Sequence, residues 1–328
     1  MVKKIKDIIL EVNKLRKYFP VSKGIFSPVK EYVHAVEDIS FQIRRGETFA
    51  LVGETGSGKT TIGKMIMRFI EPTSGEIWFD GRNLLTLNKK QLKKVRKDMQ
   101  MIFQDPYSSL NPRMRVGDTV GLGLKTHEVF KGINKNQRVI EILETVGLRP
   151  GLKIVDRYPH EFSGGQRQRI GVARALILNP KFIVADEPVS SLDISIRAQI
   201  LNLLKDLKKK FNLTYLLIAH DLSVVKLMSD RVYVIYLGKG MELAKTKDLF
   251  RSPFHPYTEA LLSAVPLIDP TLKQERLRLK GEMPSPINPP NGCPFHTRCP
   301  YIKEKCRKII PELVEVKHEH FVACHLFN

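Results

Sequence analysis

Residues 53–60 of the 328-residue chain, Gly-Glu-Thr-Gly-Ser-Gly-Lys-Thr, fit the pattern G-x-x-x-x-G-K-[ST] at every fixed position. Glycines let the backbone turn so that successive N–H groups face one anion. A helix opening at the lysine would aim its positive end at the same charge. Gly53, Thr55, Gly56, Ser57, Gly58, Lys59, Thr60 and Thr61 are therefore candidate ligands of ATP. Lys59 would reach the β- and γ-phosphates, and the Thr60 hydroxyl would meet Mg²⁺. A second constellation stands at 181–187, Lys-Phe-Ile-Val-Ala-Asp-Glu. An apolar strand there would deliver Asp186 to the metal shell and leave Glu187 where a carboxylate could polarise an attacking water. Alone, that pattern also fits an ordinary strand end with acidic surface residues. Beside the first it points to phosphoryl chemistry.

Such residues need a scaffold, and the alternation of strand-like and helical stretches predicts an α/β sheet with helices on its faces. Residues 8–12 and 39–43 read as strands of an entry sheet. Residues 48–52 form a buried strand leading into the glycine-rich turn, and 59–69 read as a helix. Further strands are expected at 75–79, 99–103, 181–185, 213–219 and 232–237. Helical character dominates from about 115 to 179, and 202–211 lies on a helix. Beyond about 245 prolines become dense (Pro253, Pro256, Pro266, Pro270, Pro284, Pro286, Pro289, Pro290, Pro294 and Pro300). That composition predicts an irregular, turn-rich appendage.

Phe162-Ser163-Gly164-Gly165-Gln166 resembles the signature motif of ABC ATPases, with Phe in place of the usual leading Leu. Its order, some 20 residues before Asp186-Glu187, speaks against a simple helix cap. Gln104 resembles the Q-loop glutamine, which touches Mg²⁺ together with Thr60 and Asp186. Ser191-Leu192-Asp193 resembles the D-loop, and His220 the switch histidine that contacts the γ-phosphate. The resemblance implies a RecA-like P-loop ABC ATPase domain with an antiparallel β subdomain and a helical subdomain. In that family Ser163, Gly164, Gly165 and Gln166 would reach the partner's ATP across a dimer, with Asp193 at the same interface. Catalysis would fall to Glu187, His220 and Lys59. An aromatic residue should stack on adenine; Tyr32 is the candidate, with Tyr18 and Phe19 as rivals.

The match extends further. Residues 101–113, Met-Ile-Phe-Gln-Asp-Pro-Tyr-Ser-Ser-Leu-Asn-Pro-Arg, resemble the Q-loop region of oligopeptide/dipeptide importer ATPases, with Tyr107 and Asn111-Pro112-Arg113 most like the F-type subunit. Residues 252–258, Ser-Pro-Phe-His-Pro-Tyr-Thr, match the motif that opens their C-terminal extension. This implies an ABC domain over 1–245, with its helical subdomain at about 106–180, and an extension over 246–328. It also implies a non-identical D-type ATPase partner, two transmembrane permeases and, indirectly, an extracytoplasmic binding protein. The chain would sit on the cytoplasmic face of the membrane. Some members of that family carry oligosaccharides or nickel instead of peptides.

The four cysteines, Cys293, Cys299, Cys306 and Cys324, all fall in the last 36 residues. Disulfides are not expected in a reducing cytoplasm. Four soft donors suit a [4Fe–4S] cluster or Zn²⁺, although the gaps are wider than the usual zinc pairs. His296 or His325 could replace one thiol in a zinc site. The family resemblance favours the iron–sulfur cluster and a metal-binding extension.

The formal net charge of +20 raises nucleic acid as an alternative partner. Its densest clusters are Lys89, Lys90, Lys93, Lys94, Arg96 and Lys97, then Lys205, Lys208, Lys209 and Lys210. Both lie on helical stretches, where solvated faces or contact with acidic headgroups are the simpler readings. No aromatic residues interleave with them, as stacking on single strands would require. Lys59 and Ser163 are only 104 positions apart with no heptads between, unlike repair ATPases that insert a coiled coil there. No nucleic-acid partner is expected. Nor does any stretch reach the roughly 20 apolar residues of a membrane span, and residues 1–6 carry charge without a secretory apolar core behind them.

Overall fold

The computed structural model describes residues 7–21, 31–127, 134–264, 277, 279 and 281–327. Residues 1–6, Pro266 and Pro270 lie outside them. Contacts divide the chain into two units: Met1–Leu85 with Leu217–Asn328, and Thr86–Leu216.

The first unit opens with β1 (Ile8–Val21) and β2 (Glu31–Arg44). They pair antiparallel, with Leu10 opposite Ile43 and Val12 opposite Phe41. Along the end of β2 buried Ile39, Phe41 and Ile43 alternate with exposed Ser40 and Gln42, the signature of a sheet with one wet face. Next comes β3 (Thr48–Val52), whose five residues are all buried, as befits a strand covered on both faces. The turn after it leads into α1 (Lys59–Ile66). Two further strands, β4 (Ser74–Phe79) and β5 (Arg82–Asn83), extend the antiparallel sheet beyond β1.

The second unit holds α2 (Lys89–Arg96), β6 (Met99–Ile102), α3 (Val116–His127), α4 (Lys135–Thr145), α5 (Gly151–Ile154), α6 (Gly164–Leu176), β7 (Phe182–Asp186) and α7 (Ile194–Phe211). Strands β6 and β7 pair parallel, Met101 opposite Val184. The helices meet through apolar stripes: Val116, Val120 and Leu124 on α3, Val139, Ile142 and Leu143 on α4, Ile170, Ala173 and Leu176 on α6. On α7 the buried set Ile200, Leu201, Leu204 and Leu207 follows helical spacing. Its three closing lysines complement the helix C-terminus, and Asn212 ends it in the left-handed region at φ 50°. On α2, Asn88 and Gln91 cap each other's backbone, and Lys89, Lys90, Lys93 and Lys94 face solvent.

Within β8 (Thr214–Ala219) the chain passes back into the first unit, which it completes with α8 (Leu222–Met228), β9 (Arg231–Tyr236), β10 (Lys239–Lys245), α9 (Thr246–Arg251), α10 (Pro256–Ser263), β11 (Val314–Lys317) and β12 (His320–Val322). β9 runs parallel to β3, Leu51 opposite Tyr233, and antiparallel to β10. β12 then pairs with β10, Glu242 opposite Val322, and β11 with β12.

Several elements differ from the sequence reading. β1 runs on from the expected 8–12 to Val21, paired along that length with β2. β2 starts at Glu31 rather than 39, because the partner strand β1 supplies pairing that the weak alternation of 31–38 does not announce. Helix α1 stops at Ile66, three residues early, before Arg68 adopts φ 52°. The proline-rich extension is not irregular throughout. Pro256 takes the first position of α10, where a missing N–H costs nothing, and the C-terminal hairpin adds two strands to the edge at β10. Among the described residues no helix is long and apolar enough to cross a membrane.

Candidate functional site

The glycine-rich turn closes on itself between β3 and α1. Gly53 sits at φ 154°, and a Cβ there would lie 2.1 Å from the carbonyl oxygen of Ile235. Gly58 sits at φ 99°, where a Cβ would lie 2.3 Å from the carbonyl oxygen of Ala35. Both positions are closed to any side chain, by backbone conformation and by space. Gly58 also occupies the N-cap of α1 and offers no side chain to its first amides. A helix N-terminus without a side-chain cap, opened by a glycine-rich turn, is the arrangement that binds phosphate. Lys59 is only 5% exposed. Its ammonium donates to the carbonyls of Gly53 and Glu54, each at 2.8 Å, and to Ser57 Oγ at 3.2 Å. Thr55, Gly56, Ser57, Thr60 and Thr61 fall on the same turn and the first residues of α1.

Tyr32 lies on β2 opposite Pro20 and is 46% exposed. Tyr18 is committed elsewhere: its hydroxyl donates to Glu37, with both carboxylate oxygens within 2.8 Å, and its ring packs 4.5 Å from that of His34. Burial and the Glu37 bond push that phenol up to about 12. Phe19 lies under the Lys17 ammonium. His220 follows β8 on an exposed turn, and Asp221 caps α8 behind it through the Ser223 N–H.

In the second unit, Asp186 ends β7 almost fully buried. Glu187 follows in the left-handed region at φ 45°, a conformation a non-glycine residue holds only where its surroundings impose it. Its carboxylate accepts from Gln104 Nε2 at 2.9 Å. The structure thus joins two residues selected separately, Gln104 after β6 and Glu187 after β7. Parallel pairing of those strands places both at one sheet end, where α/β sheets carry their ligands.

Ser163 caps α6. Its N–H donates to Gln166 Oε1 at 3.0 Å and its hydroxyl accepts from the Gln166 N–H at 3.4 Å. Phe162 is buried under the Arg157 guanidinium, so the aromatic ring fills the place where the motif expects leucine. Gly164 has ordinary helical backbone; the nearest atom to a Cβ there is Leu192 Cδ2 at 3.5 Å. Gly165 is tighter, with Ile196 Cγ2 at 2.5 Å from a Cβ. Asp193 is the exposed N-cap of α7, and Arg197 holds the preceding turn by donating to Leu192 O and Ser190 O. Tyr107, singled out only by resemblance, lies under Arg167 with the guanidinium 4.0 Å above its ring. It thereby links the 101–113 loop to α6.

The His-Pro-Tyr stretch gains a physical meaning that its residue types did not reveal. Glu242, fully buried on β10, accepts from the N–H groups of Phe254 and His255 and lies 2.6 Å from His320 Nε2. His255 Nδ1 accepts from the Tyr257 N–H at 3.0 Å and so caps α10. Burial pushes the His255 imidazole down to about 4. The Tyr257 hydroxyl reaches the phosphate loop, accepting from the Glu54 N–H at 2.9 Å.

All four cysteines are free thiols, three buried and Cys299 half-buried. Burial pushes Cys293 up to about 12 and also raises Cys299 and Cys324, with neighbouring thiols adding to each shift. The Cys293 N–H donates to Cys306 O at 2.8 Å. His296 Nδ1 lies 2.8 Å from Cys293 O, and His325 Nε2 lies 2.8 Å from Ile309 O. Among the described residues no group of three or more His, Cys, Asp or Glu side chains stands at metal-ligand spacing.

Comparison with known proteins agrees along the chain. The family description "ABC transporter" matches residues 36–190, and "Oligopeptide/dipeptide transporter, C-terminal region" matches residues 241–306. The oligopeptide transport ATP-binding protein AppF of Bacillus subtilis is 52% identical over 325 residues, covering 98% of both chains. Among solved structures, a dimeric ATP-binding cassette bound to ADP and phosphate is similar with TM-score 0.64 and 27% identity, over 73% of this chain and 99% of that one. CbiO1 of Clostridium perfringens, part of an ABC transporter complex, gives 0.63 and 29% over 75% and 92%. A phosphate loop at the end of a buried strand, a cap-closed Ser-Gly-Gly-Gln helix and this identity over the whole length place the chain in one family: it belongs to the ABC transporter ATPases of the oligopeptide/dipeptide class.

Proposed function

We propose that this chain is the ATP-hydrolysing subunit of a peptide importer. The observation that carries the reading is the union, in one chain, of a phosphate loop with the C-terminal region of oligopeptide/dipeptide transporters. Residues 1–245 form the nucleotide domain, with its helical part at about 106–180, and 246–328 form the extension. Permeases and a second, non-identical ATPase subunit complete the machine at the cytoplasmic face of the membrane, and an extracytoplasmic binding protein supplies the peptide.

ATP lies along residues 53–61 with its adenine on Tyr32, whose exposed ring is uncommitted to Glu37, unlike Tyr18. Lys59 and the α1 amides hold the phosphates. Mg²⁺ held by Thr60, Gln104 and Asp186 would neutralise charge on the phosphoryl oxygens. Glu187, aimed by its left-handed backbone and by Gln104, accepts a proton from the attacking water. His220 steadies the γ-phosphate. Ser163, Gly164, Gly165 and Gln166, with Asp193 nearby, complete the site of the partner ATPase.

The donor chemistry of the extension, four soft, free thiols of which Cys293, Cys299 and Cys324 are each raised further by neighbouring thiols, supports a [4Fe–4S] cluster, although the side chains of this structure do not stand at metal-ligand spacing. Cys293, Cys299, Cys306 and Cys324 would hold it, and it would staple a segment too small to build a large core. Iron and sulfide analysis with absorbance near 400 nm after anaerobic purification tests this; stoichiometric zinc would replace the cluster with the zinc reading.

The functional test is reconstitution with both permeases, the partner ATPase and the binding protein in vesicles. Peptide should stimulate hydrolysis and accumulate inside. Stimulation by oligosaccharide or nickel alone would overturn the peptide reading, and stimulation by DNA or RNA without permeases would overturn transport itself. Glu187→Gln should keep ATP binding and lower hydrolysis about 100-fold or more, the scale of losing a general base; near-normal turnover removes Glu187 from its role.

A further inference from the structure

The segment that carries the cysteines also grips the phosphate loop. Arg298 immediately precedes Cys299. One of its guanidinium nitrogens donates to both carboxylate oxygens of Glu54, each at 3.0 Å. Glu54 is the second residue of the glycine-rich turn, and the same residue's N–H is held by the Tyr257 hydroxyl. Arg298 is nine-tenths buried and its partner carboxylate is only partly exposed, so the pair is little screened by solvent. It also reaches the Tyr236 hydroxyl at 3.4 Å.

The grip has a rigid base. Phe295, between Cys293 and Cys299, meets Tyr236 edge-on at 5.4 Å and Tyr257 at 5.3 Å, and those two tyrosines meet each other at 4.8 Å. All three rings are fully buried. Two further contacts extend the attachment. A Cβ on Gly56 would lie 3.1 Å from the Met283 Cε methyl, and the Pro286 carbonyl accepts from the His34 N–H at 2.8 Å. The extension therefore touches the phosphate loop at Glu54 and beside Gly56, and β2 two residues past Tyr32.

We propose that the extension sets the conformation of the phosphate loop, with Arg298 and Tyr257 as positioning residues that hold Glu54 and thereby raise the affinity for MgATP. Neither touches the phosphates. They fix a turn whose amides must converge on one anion, and a loop fixed in advance spends less binding free energy on ordering itself. The inference rests on reading residues 53–60 as the ATP loop, but not on which metal the thiols hold.

The test uses the full chain, a fluorescent MgATP analogue for affinity, and hydrolysis by the assembled transporter. Arg298→Gln should weaken nucleotide binding about tenfold, the scale of losing a charge-assisted pair, while kcat at saturating ATP stays within about twofold because no group acting in the transition state is lost. Arg298→Lys should recover part of the affinity. The double variant Arg298→Gln/Glu54→Gln should be no weaker than the worse single variant, since both remove one interaction. If Arg298→Gln does not fold, Tyr257→Phe carries the test alone by removing one oxygen, with an expected loss of about threefold to tenfold. Unchanged affinity in Arg298→Gln and Tyr257→Phe overturns the proposal, as does full additivity in the double variant. Lys59→Ala separates the two levels. If it binds nucleotide like the parent, the ATP-loop reading itself falls; if it alone loses binding, only the role of the extension falls.

Discussion

The N-termini of α1 and α6 are both read as phosphate-binding ends, yet they are built in opposite ways. At α1 the cap is Gly58, with no side chain and a left-handed backbone. At α6 the cap is Ser163, locked into a reciprocal pair with Gln166. The first helix end has no side-chain cap and relies on the surrounding fold to hold the turn. The second ties the Ser163 and Gln166 amides into a local reciprocal pair. The glycines differ in the same sense. Gly58 is demanded from within, because Ala35 O occupies the space of its Cβ. Gly164 is not demanded by the chain at all, since a Cβ there meets nothing closer than 3.5 Å. A glycine that the fold does not require is one whose reason lies in what approaches it.

The largest effect should come from breaking the end without a side-chain cap. Gly58→Ala forces a Cβ against a backbone oxygen in a region of φ that alanine disfavours. Nucleotide binding should fall below detection, and the melting temperature should drop by several degrees. An alanine variant that binds ATP with parental affinity would show that the turn can reopen, and the contrast between the two helix ends would lose its basis.

Gly164→Ala is the complementary experiment. Alanine is the better helix former by up to about 1 kcal/mol, so stability should hold or rise. ATP binding to the chain's own loop should be unchanged, while hydrolysis by the assembled transporter should fall about 10-fold to 100-fold because the Cβ obstructs close approach to the partner's phosphate. Full hydrolysis in the assembled transporter would mean that α6 ends in an ordinary cap.

How much of this was readable in the sequence depended on how local the cause is. Residues 53–60 declare their chemistry in eight adjacent letters because the constraint is on backbone shape. Asp186 and Glu187 needed the first motif beside them, and their geometry then gave what residue types cannot: the φ of Glu187 and its bond to Gln104, 83 positions away. The extension was least legible. Proline density suggested irregular chain, but β12 found its partner in β10, a pairing set by an exposed edge instead of by local propensity. Glu54 stands at an unspecified position of the motif, and Arg298 is one of 54 lysines and arginines in a chain of +20 net charge. Their pairing spans 244 positions, and no local pattern marks either end.

The smallest predicted effect concerns a third helix end, capped in a third way. His255 caps α10 through Nδ1, which must be unprotonated to accept from the Tyr257 N–H. Burial holds the imidazole near 4, against about 6.5 in an unfolded chain, while the Glu242 carboxylate beside it works in the other direction. Between those two values the unfolded state binds a proton that the folded state refuses. Stability from this group is therefore complete above about pH 6.5 and is lost as the pH falls toward 4. Melting temperatures measured from pH 7.5 to 5 should decline. His255→Asn supplies a carbonyl oxygen as the cap acceptor and removes the titration, so it should flatten the part of that slope due to His255, at some cost in stability at neutral pH. An identical slope in the asparagine variant would assign the acid sensitivity elsewhere and leave His255 as a cap of ordinary kind, no different in principle from Ser163.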